Sequence, residues 1–237
     1  MAEKPNEISQ TDDFEFEALR EAVNYRRSLV REFAPHLSGD VAEVGAGIGQ
    51  ITSALSEIPS VRQVVAYEPE PRFCLEFKKR LPKTKLVEGI FTGGNGEECD
   101  GIVCVNVLEH IREDDAALAS FRQGLSARKG KLCLFVPARQ EIYAPIDRDF
   151  GHHRRYTKSN LRKQLDQAGF QILRLDYYNL IGYFAWWLNF KVRKQRKFEV
   201  GAVRLYDRMI FPVGDWLERS LMRPPIGQSL LAIAQAR

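Results

Sequence analysis

Cysteine is scarce in this chain, four residues in 237 (Cys74, Cys99, Cys104 and Cys133), with no CxxC pair and no Cys/His ligand spacing. That excludes a disulfide framework and a structural zinc module. Cys104 and Cys133 stand inside apolar, strand-like runs, so buried free thiols in a reducing cytosol are expected. Charge of one sign is missing too. Lys and Arg number 35 against 31 Asp and Glu, and the net charge of +4 makes no general case for nucleic acid. No apolar run is long enough for a bilayer; the most aromatic stretch, residues 177–190, is too short and too interrupted. The acidic, polar N-terminus has neither the basic nor the apolar region of a secretory signal, so a cytoplasmic location is expected. No internal repeat is found.

What is present is an ordinary globular composition, 44% hydrophobic and 28% charged. Residues 1–13 read as a disordered polar leader, and residues 14–237 as one domain carrying an insertion at 177–227. The informative stretch is Val41-Ala-Glu-Val-Gly-Ala-Gly-Ile-Gly49, an apolar strand running into glycines at alternate positions with an acid, Glu43, just ahead of them. Glycines there let backbone approach a ligand where a Cβ would collide. A dinucleotide loop reads G-x-G-x-x-G and takes a pyrophosphate. Here the spacing is G-x-G-x-G, and the carboxylate beside it would repel phosphate. S-adenosylmethionine (SAM) has no phosphate, and its ammonium suits a nearby Glu.

The patterning predicts a helix over 14–35, strands at Val41–Val44, Val61–Tyr67, Lys85–Glu88, Gly101–Asn106 and Lys131–Val136, and helices at Gln50–Glu57, Pro71–Arg80 and 114–126. A long connection over 139–156, a helix from a Thr157 cap to Ala168, and strands at Phe170–Asp176 and Ser229–Ala234 complete the chain. Strands alternating with helices indicate an α/β fold with a doubly wound, mostly parallel sheet and helices on both faces. Twenty-five residues beyond Glu43, at the end of the second strand, Glu68 stands where open α/β sheets place an acid for ribose hydroxyls.

Glu43-Val-Gly-Ala-Gly-Ile-Gly49, Tyr67-Glu68-Pro69, the run from Asp100 to Asn106, and Val107-Leu-Glu-His110 resemble, in order, the motifs of class I SAM-dependent methyltransferases. Asn24-Tyr25-Arg26-Arg27, Gly151-His-His-Arg-Arg-Tyr156 and Trp186-Trp-Leu-Asn189 further resemble a bacterial subgroup found among glycan and lipid-linked sugar pathways. The resemblance implies a Rossmann-like seven-stranded sheet, order 3-2-1-4-5-7-6, with strand 7 antiparallel. It implies SAM as cofactor, with Glu43, Gly45, Ala46, Gly47 and Gly49 at the methionine end and Glu68 and Pro69 at the ribose. Asn106 and Val107 would lie beside the methionine, and Tyr25 would close over the cofactor. Where many relatives carry an acid for the adenine amino group this chain has Glu88-Gly-Ile-Phe91, which leaves Ile90 or Phe91 for the base.

Glu109-His110 resembles the end of the Glu-x-x-Glu-His motif of cation-binding methyltransferases, but Asn106 stands where the first Glu would be. Two ligands seldom make a site, and no metal is expected. Methyl transfer needs an aligned acceptor and a base for its proton. In the loop after the fifth strand His152 is the expected base or acceptor-positioning group, with Asp147 orienting it and His153 beside it. Arg154 or Arg155 would grip an acceptor anion, and Tyr143, Tyr156 and Trp186 are further acceptor contacts. Residues 177–197, aromatic and then basic, read as an interfacial anchor on anionic lipid, a lid, a dimer contact or a packing helix. The expected activity is methyl transfer to an oxygen, or else a nitrogen, of a small-molecule or lipid-linked acceptor, with no nucleic acid as partner. The competing reading is a SAM-binding membrane or partner module without catalysis.

Overall fold

Largely apolar runs of three to nine residues, each flanked by turn-forming sequence, pair into one sheet in a computed structural model that describes residues 20–94, 96–220 and 223–237. The strands are β1 Gly39–Val44, β2 Val61–Tyr67, the three-residue β3 Lys85–Val87, β4 Gly101–Val105, β5 Lys131–Pro137, β6 Phe170–Tyr178 and β7 Ser229–Ala236. Their order is β3-β2-β1-β4-β5-β7-β6. β1 through β5 pair in parallel, and β7 runs antiparallel between β5 and β6. The implied topology is observed in full.

Alternation along the strands explains why both faces are covered. Ile102, Cys104, Leu132 and Leu134 face one way. They meet Leu118, Phe121 and Leu125 of a helix over Asp114–Ser126 (α4) and Leu161 and Leu165 of one over Lys158–Gln167 (α6). Val103, Cys133, Phe135 and Ile233 face the other way, onto Leu29, Val30 and Phe33 of α1 (Val23–Phe33) and Leu55 of α2 (Gln50–Ser56). A third helix, α3 (Pro71–Arg80), follows β2. All four cysteines are free and buried. Of the helix expected over 14–35, residues 14–19, with Phe16 and Leu19, lie outside the described residues; Arg20 and Glu21 are helical, Ala22 interrupts, and the helix over Val23–Phe33 gives way to a 3-10 turn at Ala34.

The 139–156 connection is more structured than its sequence suggests. It holds a 3-10 turn, Gln140–Ile142, and a short helix α5, Pro145–Asp149, whose start is fixed by the Ala144 N–H donating to Asp147 Oδ2 at 2.8 Å. Thr157 caps α6 as expected, accepting from the Asn160 N–H. The insertion is helical: α7 Leu180–Trp186, a π turn over Trp187–Val192, α8 Val200–Leu205, a second π turn over Tyr206–Ile210, and α9 Phe211–Ser220. Two buried acids fasten it to α1. Asp207 accepts from the N–H groups of Asn24 and Tyr25, donors that the first turn of a helix leaves without intrahelical partners, and Asp215 accepts from Ser28 and Arg31. Among the described residues no helix is long and apolar enough to cross a membrane.

Candidate active site

The carboxyl ends of β1, β2 and β4 meet at the glycine loop. Gly45 has φ +73°, and a Cβ built on it would lie 2.2 Å from Val107 Cγ2, so both the backbone conformation and the approach of the next loop demand glycine. The turn is closed by the N–H groups of Gly45 and Ala46, which donate to the Tyr67 carbonyl at 2.9 and 3.1 Å, while the Ala46 methyl packs on Ala66 and Phe77 beneath. Gly47 and Gly49 also sit in the left-handed region. Asn106, at the end of β4, does so with a side chain (φ +53°), a strained position of the kind found at functional sites, and its N–H donates to the Phe135 carbonyl.

Two buried carboxyl groups flank this loop. Glu43 accepts from the Thr52 hydroxyl of α2, yet burial, reinforced by the charge of Glu68, pushes its pKa up to about 8. Glu68 Oε2 accepts from the Gly47 N–H at 2.7 Å and Oε1 from the Glu70 N–H at 2.9 Å, which ties the loop to the turn at Pro69. Burial raises its pKa as well, and each oxygen keeps a further lone pair for another donor. Of the two apolar candidates near an adenine, Phe91 is buried against Tyr67 and Phe121, whereas Ile90 is 70% exposed.

The neighbouring half of the site is built where β4 and β5 end. His152 Nδ1 lies 3.1 Å from Asp147 Oδ1, as expected of an orienting carboxylate. Burial alone would raise the Asp147 carboxyl, but the bond from His152 and the charge of Arg155 outweigh it and hold the group below the usual carboxylate range. The other face of His152 looks toward the 3-10 turn Leu108–His110. There Nε2 stands 3.9 Å from Glu109 Oε1, and the His110 ring meets the His152 ring edge-on with centroids 4.7 Å apart. The His110 residue keeps an exposed side, yet desolvation of its ring, together with the imidazoles of His152 and His153, pushes it below the usual histidine range. Sequence reasoning weighed Glu109 and His110 as an isolated pair; it missed that His152, distant in sequence, folds back onto them.

Several expected roles are corrected by this geometry. Arg155 is buried, donates from Nε to Asp147 Oδ1 at 2.9 Å and from Nη1 to the Ala138 carbonyl at 3.1 Å, and lies 4.4 Å over the Trp186 ring, so it does not reach an acceptor. Trp186 is buried with it, its Nε1–H donating to the Ile142 carbonyl, and Phe190 packs on its ring. Tyr156 is buried and donates to Asp114 Oδ2, to which Arg154 is also paired, at Oδ1; both residues pin the start of α4. Tyr143 donates its hydroxyl to the His152 carbonyl and so braces the loop. His153 is exposed and contributes its main chain, the N–H donating to the Glu109 carbonyl at 2.9 Å. Tyr25 is no flap over the cofactor: its ring packs against Phe135, Tyr178 and Phe211 on the sheet, and its hydroxyl bonds Ser229.

A family model described as a methyltransferase domain matches residues 16–175. Solved structures share the fold at low identity. A protein in complex with the methyltransferase activator Trm112 of Haloferax volcanii superposes with a TM-score of 0.64, at 13% identity and over 99% of each chain. A SAM-dependent methyltransferase from Clostridium acetobutylicum gives 0.58, at 10% identity and over 90% of each chain. One from Archaeoglobus fulgidus gives 0.58, at 16% identity over 91% of this chain and 94% of that one. No curated protein sequence matches. The chain belongs to the class I SAM-dependent methyltransferases, and SAM is its cofactor.

Proposed function

We propose that this SAM-dependent methyltransferase transfers its methyl group to a hydroxyl oxygen of a lipid-linked acceptor held at an anionic membrane surface. The observation that carries the reading is the meeting, at the carboxyl ends of the parallel strands, of the glycine loop with its two buried acids and an imidazole fixed on one nitrogen by a carboxylate. The residues fit the cofactor. Residues 41–49 offer no basic side chain for a phosphate, and a carboxyl group whose burial favours the neutral form gains most from a cationic neighbour. In this reading Glu43 and the loop glycines hold the methionine end, Glu68 accepts from the ribose hydroxyls, and exposed Ile90 covers the adenine. When bound, SAM supplies an electrophilic methyl on a sulfonium. His152 would face the acceptor with Nε2 and receive or orient its hydroxyl proton, while the S–CH3 bond would break as the O–C bond forms and its electron pair would stay on the departing thioether; Asp147, on Nδ1, is the positioning residue.

The insertion supports the lipid-linked acceptor. Ten of the fourteen large apolar side chains exposed among the described residues lie between Phe184 and Leu217, Met209 (65%) and Trp216 (58%) among them. Exposed cations Lys191, Arg193, Lys194 and Lys197 adjoin them. Apolar groups to enter an acyl boundary, bordered by cations each worth about 1 kcal/mol near an anionic surface, suit peripheral binding. Two measurements test the proposal. The protein should sediment with vesicles containing phosphatidylglycerol but not with phosphatidylcholine alone, and Trp187→Ser with Trp216→Ser should abolish that. Methyl-labelled SAM incubated with a membrane extract should then label the organic phase. Label confined to protein or nucleic acid, or equal sedimentation with both vesicles, would refute the reading.

A further inference from the structure

Glu109 and His110 are consecutive on the single turn that follows β4, and His152 descends on them from the loop that follows β5. One ligand atom from each side chain lies within 4.8 Å of the other two. We infer that Glu109, His110 and His152 bind a first-row divalent cation such as Zn2+ or Mn2+ at the acceptor end of the site. Ligands about 2.0–2.2 Å from such a cation stand roughly 3 Å or slightly more from one another. The observed spacing, including 3.9 Å between His152 Nε2 and Glu109 Oε1, is wider than that, so a bound cation would draw the three side chains together.

The surroundings are those of a metal histidine. Asp147 Oδ1 occupies Nδ1 of His152, which leaves Nε2 for the cation, the carboxylate–histidine arrangement that orients ligating imidazoles. Asp147 is itself held by the Ala144 N–H and by buried Arg155. The two ligand-bearing segments are locked together by the His153 N–H donating to the Glu109 carbonyl. Glu109 has no exposed side-chain surface, and a carboxylate so deeply placed is stabilised by a cation against it. Two imidazoles and one carboxylate favour a transition metal over Mg2+ or Ca2+, which take oxygen ligands, and they leave coordination positions open. Cation binding stands on these side chains alone, whereas its use rests on the methyl-transfer reading. There the cation, in place of the imidazole, would lower the pKa of the acceptor hydroxyl, and His152 would position the acceptor through it.

The test is titration of chelator-treated, full-length protein with Co2+ followed by its visible bands, and with Zn2+ or Mn2+ by calorimetry. One equivalent should bind. Glu109→Gln, His110→Gln and His152→Gln should each weaken binding at least tenfold, and Asp147→Asn by about 10- to 100-fold, while SAM affinity, measured on the same samples, stays within about threefold of the parent. Less than half an equivalent bound by the parent protein, or affinity that none of the ligand substitutions changes, overturns the site. Should a variant fail to fold, imidazole-nitrogen couplings in the pulsed EPR spectrum of the Mn2+-loaded parent read the same ligands, and their absence refutes it. SAM binding without metal uptake sinks the cation site alone; metal uptake without SAM binding sinks the methyl-transfer reading and leaves the site.

Discussion

Glu43→Gln isolates the group that we propose receives the cationic end of the cofactor. Burial holds the Glu43 carboxyl near pKa 8, so at pH 7 about nine-tenths of the apoprotein carries a proton there. If the ammonium of SAM settles beside it, the pKa falls and that proton leaves. Binding at pH 7 should therefore release about 0.9 proton from this group, and affinity should rise with pH up to about 8. Calorimetry in two buffers of different ionisation enthalpy measures the release. Any change in the cofactor's own protonation is common to both proteins, so the difference between parent and Glu43→Gln reports Glu43. The Gln variant should lose that 0.9 proton and bind SAM roughly 10- to 100-fold more weakly, the worth of one charge-assisted hydrogen bond. Equal release from the two proteins would refute the assignment of Glu43 to the cationic end of the cofactor.

The same shift has a stability consequence of known sign. A carboxyl with a raised folded-state pKa keeps its proton in the native protein after the unfolded chain has lost it. Native stability is thus fully present below pH 4.5 and declines as pH rises to about 8, by at most about 1.4 kcal/mol per pH unit. Over that window the upper bound is about 4 to 5 kcal/mol. Urea melts of the apoprotein should show a steeper decline in the parent than in Glu43→Gln, where a neutral amide can still accept from Thr52 and the raised carboxyl of Glu68 remains.

Gly45→Ala should lower the melting temperature and weaken SAM binding, because a left-handed alanine costs about 1–2 kcal/mol and its methyl strikes Val107. Adding Val107→Ala should recover the steric part only, as differential scanning calorimetry would show. Arg155→Met should cost about 3–5 kcal/mol, since it leaves buried Asp147 without its cation, and lower the melting temperature by about 10 °C. An unchanged melting temperature with weakened acceptor binding would restore the acceptor role that the structure denies Arg155.

The glycine loop and its two flanking acids were legible because they are written locally. Glu43, the three glycines and the Glu68-Pro69 turn lie within thirty residues, and their strands end in the order in which the chain lists them. Strand limits were close for the same reason: Val61–Tyr67 and the helices Pro71–Arg80 and 114–126 are observed as expected. β6 runs two residues past the expected end at Asp176 because Tyr177 and Tyr178 find partners in Leu230 and Ser229 of β7, a pairing across fifty residues that no local pattern carries.

The acceptor half was misread for a related reason. An arginine, a tyrosine and a tryptophan in a loop over a cofactor look like ligand contacts, but the same side chains also serve to bury a loop. What decides is whether a partner of opposite polarity lies close in space. Asp147 and the Trp186 ring claim Arg155, and Asp114 claims Tyr156 and Arg154; Trp186 and Asp114 come from separate segments of the chain, and Asp147 from the short helix eight residues before Arg155. Once those demands are met, His152 is the side chain of this loop left facing Glu109 and His110. The buried pair thereby does its work at a distance: Arg155 holds Asp147, and Asp147 fixes the imidazole ring. Trp186, beneath Arg155, is followed on the same helical stretch by exposed Trp187, so the apolar surface of the insertion and the orientation of His152 rest on one continuous set of contacts.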